Sequence, residues 1–377
     1  MRKLKIYTDL NAITEGKEVH WTLPPLLADQ QSSADRTTSK SNTRVRGDGS
    51  DMLAEYYAVA NTIAELVQVD QCDVAVFPVD WRDVRGGLHW LNIPDKAAVR
   101  SALDFHITAS SAGKPVTLFF SGSRSHEKVP LKNAYVFRNA LYRSRRKKTD
   151  FAMPVFFPDI LQGHFDGNVA VRPKRPKPIV GFCGFSRDVT LREHLKTVVY
   201  HIVMLAKYRH PDVSQYKGLA LRQECLRILG ESSAVKTNFI VRDRSVFLTK
   251  EGTKEQKQKL RDDFVRNMAE SDYQLCVRGS ANHSRRPWEA LCCGRIPIFI
   301  DTDCVLPFEG HIDWKHYCVL VDEKDIDRLP ETVADFHAAL SNEDFEELQL
   351  ACRKIWVKWL SPQGFMCNLY RHFNLAS

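Results

Sequence analysis

No stretch of the 377-residue sequence comes near the roughly 20 consecutive apolar residues that a membrane-spanning helix needs. The first ten residues carry Lys and Arg but no apolar core of signal-peptide length. The chain as it stands is therefore expected to remain in the cytoplasm, with peripheral membrane association at most. Ten cysteines are present, yet none stands in a Cys-x-x-Cys pair and several lie inside apolar runs. They read as reduced structural residues, not as a disulfide framework or a zinc site. His-Glu-x-x-His and Gly-x-Ser-x-Gly are absent, and no segment fits Walker A or the dinucleotide fingerprint.

What is present is an ordinary soluble mixture, 44% hydrophobic and 27% charged. At roughly 150 residues per domain, the length implies two domains. The net charge of +8 is too small for an obligate DNA binder but suits an anionic partner such as a nucleotide, a nucleic acid, an acidic glycan or an anionic lipid surface. Two basic runs, 143–148 and 172–177, read as solvated surface or linker that could face such a partner.

Apolar runs of strand length alternate with segments of helical period, which predicts parallel sheets covered on both faces. In the first half strands are expected at 3–7, 74–77, 116–120 and near 152–157. Helices are expected at 53–67, 96–112 and near 133–143. Residues 29–50, rich in Ser, Thr, Asp and Arg, read as a loop. The Pro-rich, basic segment 163–178 marks the expected domain boundary. In the second half a strand at 178–184 runs into a glycine-containing turn. Helices at 188–208, 218–229 and 254–270 follow, then a strand at 273–277, a helix at 284–293, a strand at 296–300 and a helical tail from Glu343. Two domains result, 1–165 and 178–345.

The densest chemical signal lies between Tyr273 and Phe308. A strand leads into Arg278-Gly279-Ser280-Ala281-Asn282-His283. Ser284 then stands as an N-cap, with Pro287 in the first turn and Gly294 at the helix end. A helix start at the carboxyl end of a strand is an anion site, and Arg278 and Arg286 add forked donors for phosphate. Glu289, one turn on, can accept from sugar hydroxyls. Asp301-Thr302-Asp303 offers an Asp-x-Asp of the kind that holds a divalent ion, but it reads more simply as an acidic turn. Gly184 and Arg187, in the run Gly181 to Arg187, would allow a phosphate to approach the backbone closely.

These residues resemble a known family. Leu275-Cys276-Val277-Arg278-Gly279, Asn282-x-Ser284-x-Arg286-x-Trp288-Glu289-Ala290-Leu291 and Gly294-Arg295-Ile296-Pro297 are similar to the core of the exostosins, family 47 of the glycosyltransferases. The likeness continues through Val305-Leu306-Pro307-Phe308 and Ile312-Asp313-Trp314. It implies the GT-B fold, two Rossmann-like domains facing a central cleft, with the last helix, about 355–377, packing back on the first domain. It also implies an inverting, metal-independent transfer, with no cofactor, from a nucleotide sugar (a UDP-sugar is expected) to a glycan or glycoconjugate acceptor. No nucleic acid partner is expected. Position by position, Arg278, Ser284 and Arg286 would hold the diphosphate and Glu289 the ribose, with Gly279 and Asn282 in the same loop. His283 and Arg285 stand where aromatic residues are common in the family. The general base should come from the N-terminal half, and Asp80 and His126, both just past strand ends, are the candidates. A nucleic-acid-binding protein using the basic runs, or a catalytically silent nucleotide-sugar-binding subunit, are the alternatives.

Overall fold

The computed structural model of the protein describes residues 2–27, 52–85, 95–165, 167–187, 190–192, 195–196, 198–199, 202, 215–242 and 253–373. The loop expected at 29–50 and most of the helix expected at 188–208 lie outside these residues. The chain divides into two compact units. One comprises Met1–Pro158, Val305–Pro307 and Lys358–Ser377, the other Asp159–Cys304 and Phe308–Val357.

The first unit is built on six strands: β1 (Leu4–Tyr7), β2 (Ala64–Leu66), β3 (Val74–Val76), β4 (Val116–Phe120), β5 (Tyr135–Arg138) and β6 (Asp150–Ala152). They lie in the order β2-β1-β3-β4-β5-β6, all neighbours parallel. A sheet covered on both faces has apolar strands throughout, and β4 is buried at every position. Helix Lys96–Ser111 starts where the Asp95 carboxylate accepts from the Ala97 and Ala98 N–H groups. Its Ala98, Ala102, Phe105 and Ala109 recur at helical spacing and join Phe77, Val116, Leu118 and Phe120 in one core.

Three expectations fail here. Residues 133–143 are not a helix; Tyr135, Val136 and Phe137 form β5, held between Thr117 to Phe119 on one side and Asp150 to Phe151 on the other. A slot with strand partners on both sides outweighs local spacing for aromatic and β-branched residues. The helix expected over 53–67 ends at Ile63, and 64–66 form edge strand β2 against β1. The last strand lies at 150–152 instead of 152–157. At the chain end, helix Pro362–Asn368 is capped by Ser361 and packs on helix Ala54–Ile63, with the Phe365 ring 5.7 Å from that of Phe137.

The second unit has five parallel strands: β7 (Ile179–Phe185), β8 (Lys236–Arg242), β9 (Tyr273–Cys276), β10 (Ile296–Asp301) and β11 (Val319–Asp322), ordered β11-β10-β9-β7-β8. β8 has no counterpart in the sequence reading, because its edge position leaves Lys236, Thr237 and Val241 exposed and breaks the apolar run. Gly181 and Gly184 lie within β7 and not in a turn. Segment 163–178 is not a free linker. Arg172 pairs with buried Asp272 at 2.6 Å and exchanges hydrogen bonds with Gln349, while Lys174 Nζ donates to the Leu340 carbonyl. Gln349 also accepts from the buried Arg295 at 2.9 Å, which fixes helix Asn342–Ile355 to this unit.

Both sheets repeat one topology. In each, the first strand has its immediate successor on one side and the third strand on the other. The chain therefore reverses direction across the sheet between β1 and β3, and again between β7 and β9. Ligands of open α/β sheets bind outside the carboxyl ends of the strands at such a switch point. Among the described residues, no helix is long and apolar enough to cross a membrane.

Candidate active site

The switch point of the second unit lies between the ends of β7 and β9. β9 is buried at all four positions, and the chain leaves it through the equally buried Val277 and Arg278. The following helix, Arg286–Cys292, is shorter than expected. Its N-cap is Arg285, which makes no side-chain cap, whereas Ser284 Oγ accepts from the Arg286 N–H at 3.3 Å. Gly294 ends it at φ +65°, a conformation that favours glycine.

Two guanidinium groups, those of Arg286 and Arg222, meet here, with Arg278 contributing its main-chain carbonyl. Arg286 Nη2 donates to the Cys183 carbonyl at 2.6 Å, and its head lies 4.9 Å from the centre of the Phe182 ring. Arg222, on helix Gln215–Glu231, reaches in from another element. It donates to the carbonyls of Phe185 at 2.6 Å and Arg278 at 3.1 Å and lies 5.8 Å from the same ring. Arg278 Nη1 donates to Asn282 Oδ1 at 3.3 Å. Among the described residues, neither Arg286 nor Arg222 meets a carboxylate, and Arg286 Nη1 and Arg222 Nε are buried without a hydrogen-bond partner. Burial, together with the Arg286 charge, lowers the Arg222 pKa to about 10. Cations held together against carbonyls and a ring face, with donors unused, form a site that an anion would stabilise. Arg222 escaped the sequence reading because nothing local marks it; a helix arginine reads as solvated surface.

The remaining residues divide by role. Gly184 sits beside Arg286; a Cβ there would stand 2.9 Å from Arg286 Nη2. Arg187 is half-buried just beyond β7. Gly279 has open space around a notional Cβ. Asn282 is a staple inside the protein, since its side chain takes the Arg278 and Thr302 donors and gives to the Asp303 carbonyl. Glu289 is buried and held by Arg285 at 2.8 Å. His283 has both ring nitrogens buried without partners, and burial next to Arg278 brings its pKa down to about 4. The Asp301 carboxylate accepts the Cys304 N–H at 2.7 Å, which closes an acidic turn.

In the first unit, Asp80 follows β3 at the β1/β3 switch point. Its Oδ1 accepts from the Arg82 N–H at 2.8 Å and the Ser121 N–H at 3.0 Å, and burial pushes its pKa up. His20 lies with Nε2 3.9 Å from Asp80 Oδ2 and stacks on Phe119. Burial drives its pKa to about 3. The sequence reading did not single out His20, which lies far from any motif. His126 is half-buried and meets the Tyr142 ring edge-on. Ser125, beside it, is fully buried and ties the Gly122 carbonyl to the Ala140 N–H.

Paired Rossmann-like units, one with a basic crevice at its switch point, place the chain in the GT-B class of folds. Residues 218–336, about a third of the chain, match the Exostosin GT47 domain. It is 42% identical over 66 residues to a probable glucuronosyltransferase of Oryza sativa subsp. japonica, covering 18% of this chain and 15% of that protein. It is 34% identical over 95 residues to the probable beta-1,4-xylosyltransferase IRX10L of Arabidopsis thaliana, 23% of each. With Exostosin-1 of Drosophila melanogaster it shares 36% identity over 78 residues, 21% of this chain and 10% of that one. The matched stretch thus spans less than a quarter of each of these relatives. Among solved structures, a glycosyltransferase from Rickettsia africae ESF-5 covers 100% of both chains at 11% identity and a TM-score of 0.33. A spinosyn rhamnosyltransferase, SpnG, complexed with thymidine diphosphate covers 84% of this chain and 76% of its own at 10% identity and a TM-score of 0.32.

Proposed function

We propose that this protein is an inverting, metal-independent glycosyltransferase that moves a sugar from a nucleotide sugar, a UDP-sugar, to a hydroxyl of a glycan acceptor. The observation that carries the reading is the pair Arg222 and Arg286, two guanidiniums without an acid partner among the described residues at the β7/β9 switch point. The acceptor oxygen attacks the anomeric carbon as the bond from that carbon to the phosphate oxygen breaks. Its proton passes to a base, and the nucleoside diphosphate leaves. Negative charge grows on the leaving oxygen, where Arg286, Arg222 and Arg278 stabilise it. Asp80 and His126 are the candidates for that base. The second oxygen of Asp80 is not used by the two N–H groups that orient it.

Thermal-shift screening against UDP, UDP-sugars and other nucleotide sugars tests the reading. At about 100-fold excess over Kd, a ligand that binds the folded state adds about 2.7 kcal/mol, which raises Tm by a few degrees. Hydrolysis of the hits then separates an enzyme from a silent binder. Affinity for oligonucleotides with a steep salt dependence, and none for nucleotide sugars, would overturn it.

Gly184→Ala isolates the contribution of the crevice wall. Its methyl group displaces the flexible end of Arg286, not the backbone. Tm is expected to hold while UDP affinity falls about tenfold, one lost charge-assisted contact. Unchanged affinity would remove Arg286 from the site.

A further inference from the structure

The basic run at 143–148 has no part in the reading above, yet it borders a cavity. We infer that the first unit carries a second ligand site, for an anionic oligosaccharide, separate from its switch point. The cavity, about 510 Å3, lies beside the starts of β5 and β6. Its rim is formed by Lys128 and Lys132, from the loop before β5, and Lys147 and Lys148, from the turn before β6, with Leu131 and Val136 contributing apolar wall. The volume suits a bound small molecule or a few sugar rings.

Charge defines the ligand. All four lysines are exposed, and no ion pair engages any of them among the described residues. The acid in the lining, Asp150, is already spent: it pairs with buried Arg138 at 2.8 Å and accepts the Lys147 N–H at 3.1 Å. The rim therefore keeps a surplus of positive charge that only an external anion can neutralise. Shape narrows the class further. Leu131, Ala134 and Val136, core side chains with only a few per cent of their surface exposed, floor the cavity, and the lysines around them face the carboxylate or sulfate groups of a glycan. Among the described residues, none of the large exposed hydrophobic side chains lines this cavity. The lysines pair with their ligand as mobile point charges, which gives affinity for anionic glycans without strict selection of one anion.

Calorimetric titration of the intact protein with an oligogalacturonate hexasaccharide tests the inference. Saturable binding that weakens with added salt is expected. It should fall about tenfold or more in Lys132→Ala/Lys147→Ala/Lys148→Ala, whose changes are on the surface, and remain unchanged in Arg286→Ala, which addresses the other unit. A neutral dextran oligomer of equal length should not bind. Circular dichroism of the triple variant checks its fold, and Lys147→Ala/Lys148→Ala serves as a milder variant. The inference is overturned if neither variant weakens binding, if the neutral oligomer binds equally, if no binding occurs, or if inorganic phosphate or anionic vesicles compete fully at equal charge concentration. UDP binding by the same samples is read separately, so failure here leaves the proposed transfer untouched.

Discussion

Arg286→Ala is expected to lower nucleotide-sugar turnover by a hundredfold or more, about 3 kcal/mol of lost stabilisation of the departing diphosphate, while the fold survives. The survival follows from its surroundings. Arg286 is half-buried, its polar partner is one main-chain carbonyl, and its neighbour is another cation. Removing it relieves repulsion on Arg222, whose pKa should then rise. Arg286→Lys should not restore activity, because a lysine cannot reach the Cys183 carbonyl and a phosphate together with one planar fork. Arg222→Met tests the residue that only the structure revealed and should weaken UDP binding without abolishing it. Turnover and UDP titration, with circular dichroism as the control for folding, provide the measurement; near-normal turnover in Arg286→Ala rejects the assignment.

The second large effect is on stability against pH. His20 is buried, and half-buried His283 has both ring nitrogens shielded; both are neutral, with pKa values lowered to about 3 and about 4 from 6.5. Below that value the unfolded chain takes up protons that the folded chain refuses, so stability falls as pH falls. From pH 6.5 to 4 the loss is on the order of 3 kcal/mol for each histidine. Asp80 acts in the opposite sense, because its raised pKa lets the folded state take a proton first and offsets part of the loss at the acid end. His20→Phe keeps the stack on Phe119 and should flatten the dependence by about half. Urea midpoints measured at several pH values between about 7 and 5 decide it; equal slopes in both proteins would mean that His20 is protonated in the fold.

Much of the second unit was legible because the relevant signals are local. Tyr273 to Ile300 reads as strand, polar loop, helix and strand from the run Tyr-Gln-Leu-Cys, from Pro287 and Gly294, and from the apolar stretch after Arg295. Each element there is set by residues within a few positions of it. Helix Lys254–Glu270 was legible for the same reason, since Thr253 and Gln256 form a capping box at its start. Two edge strands, β2 and β8, were not legible. Both depend on a neighbour's unpaired backbone groups, and their own side chains lack a clear pattern. β5 was misread because its aromatic and β-branched residues also fit a helical period until β4 and β6 supply partners on both sides.

By itself the sequence determined the α/β class of the chain and the strand, polar loop and helix start that carry Arg278 and Arg286, because contiguous residues make these features. Tertiary structure alone decided that Arg222 joins that loop, that Asn282 is a staple, that His20 stands beside Asp80 and that segment 163–178 belongs to the second unit. These pairings join residues tens to hundreds of positions apart. They form only where strand order brings distant loops to one end of a sheet, and burial then sets which charges stay paired.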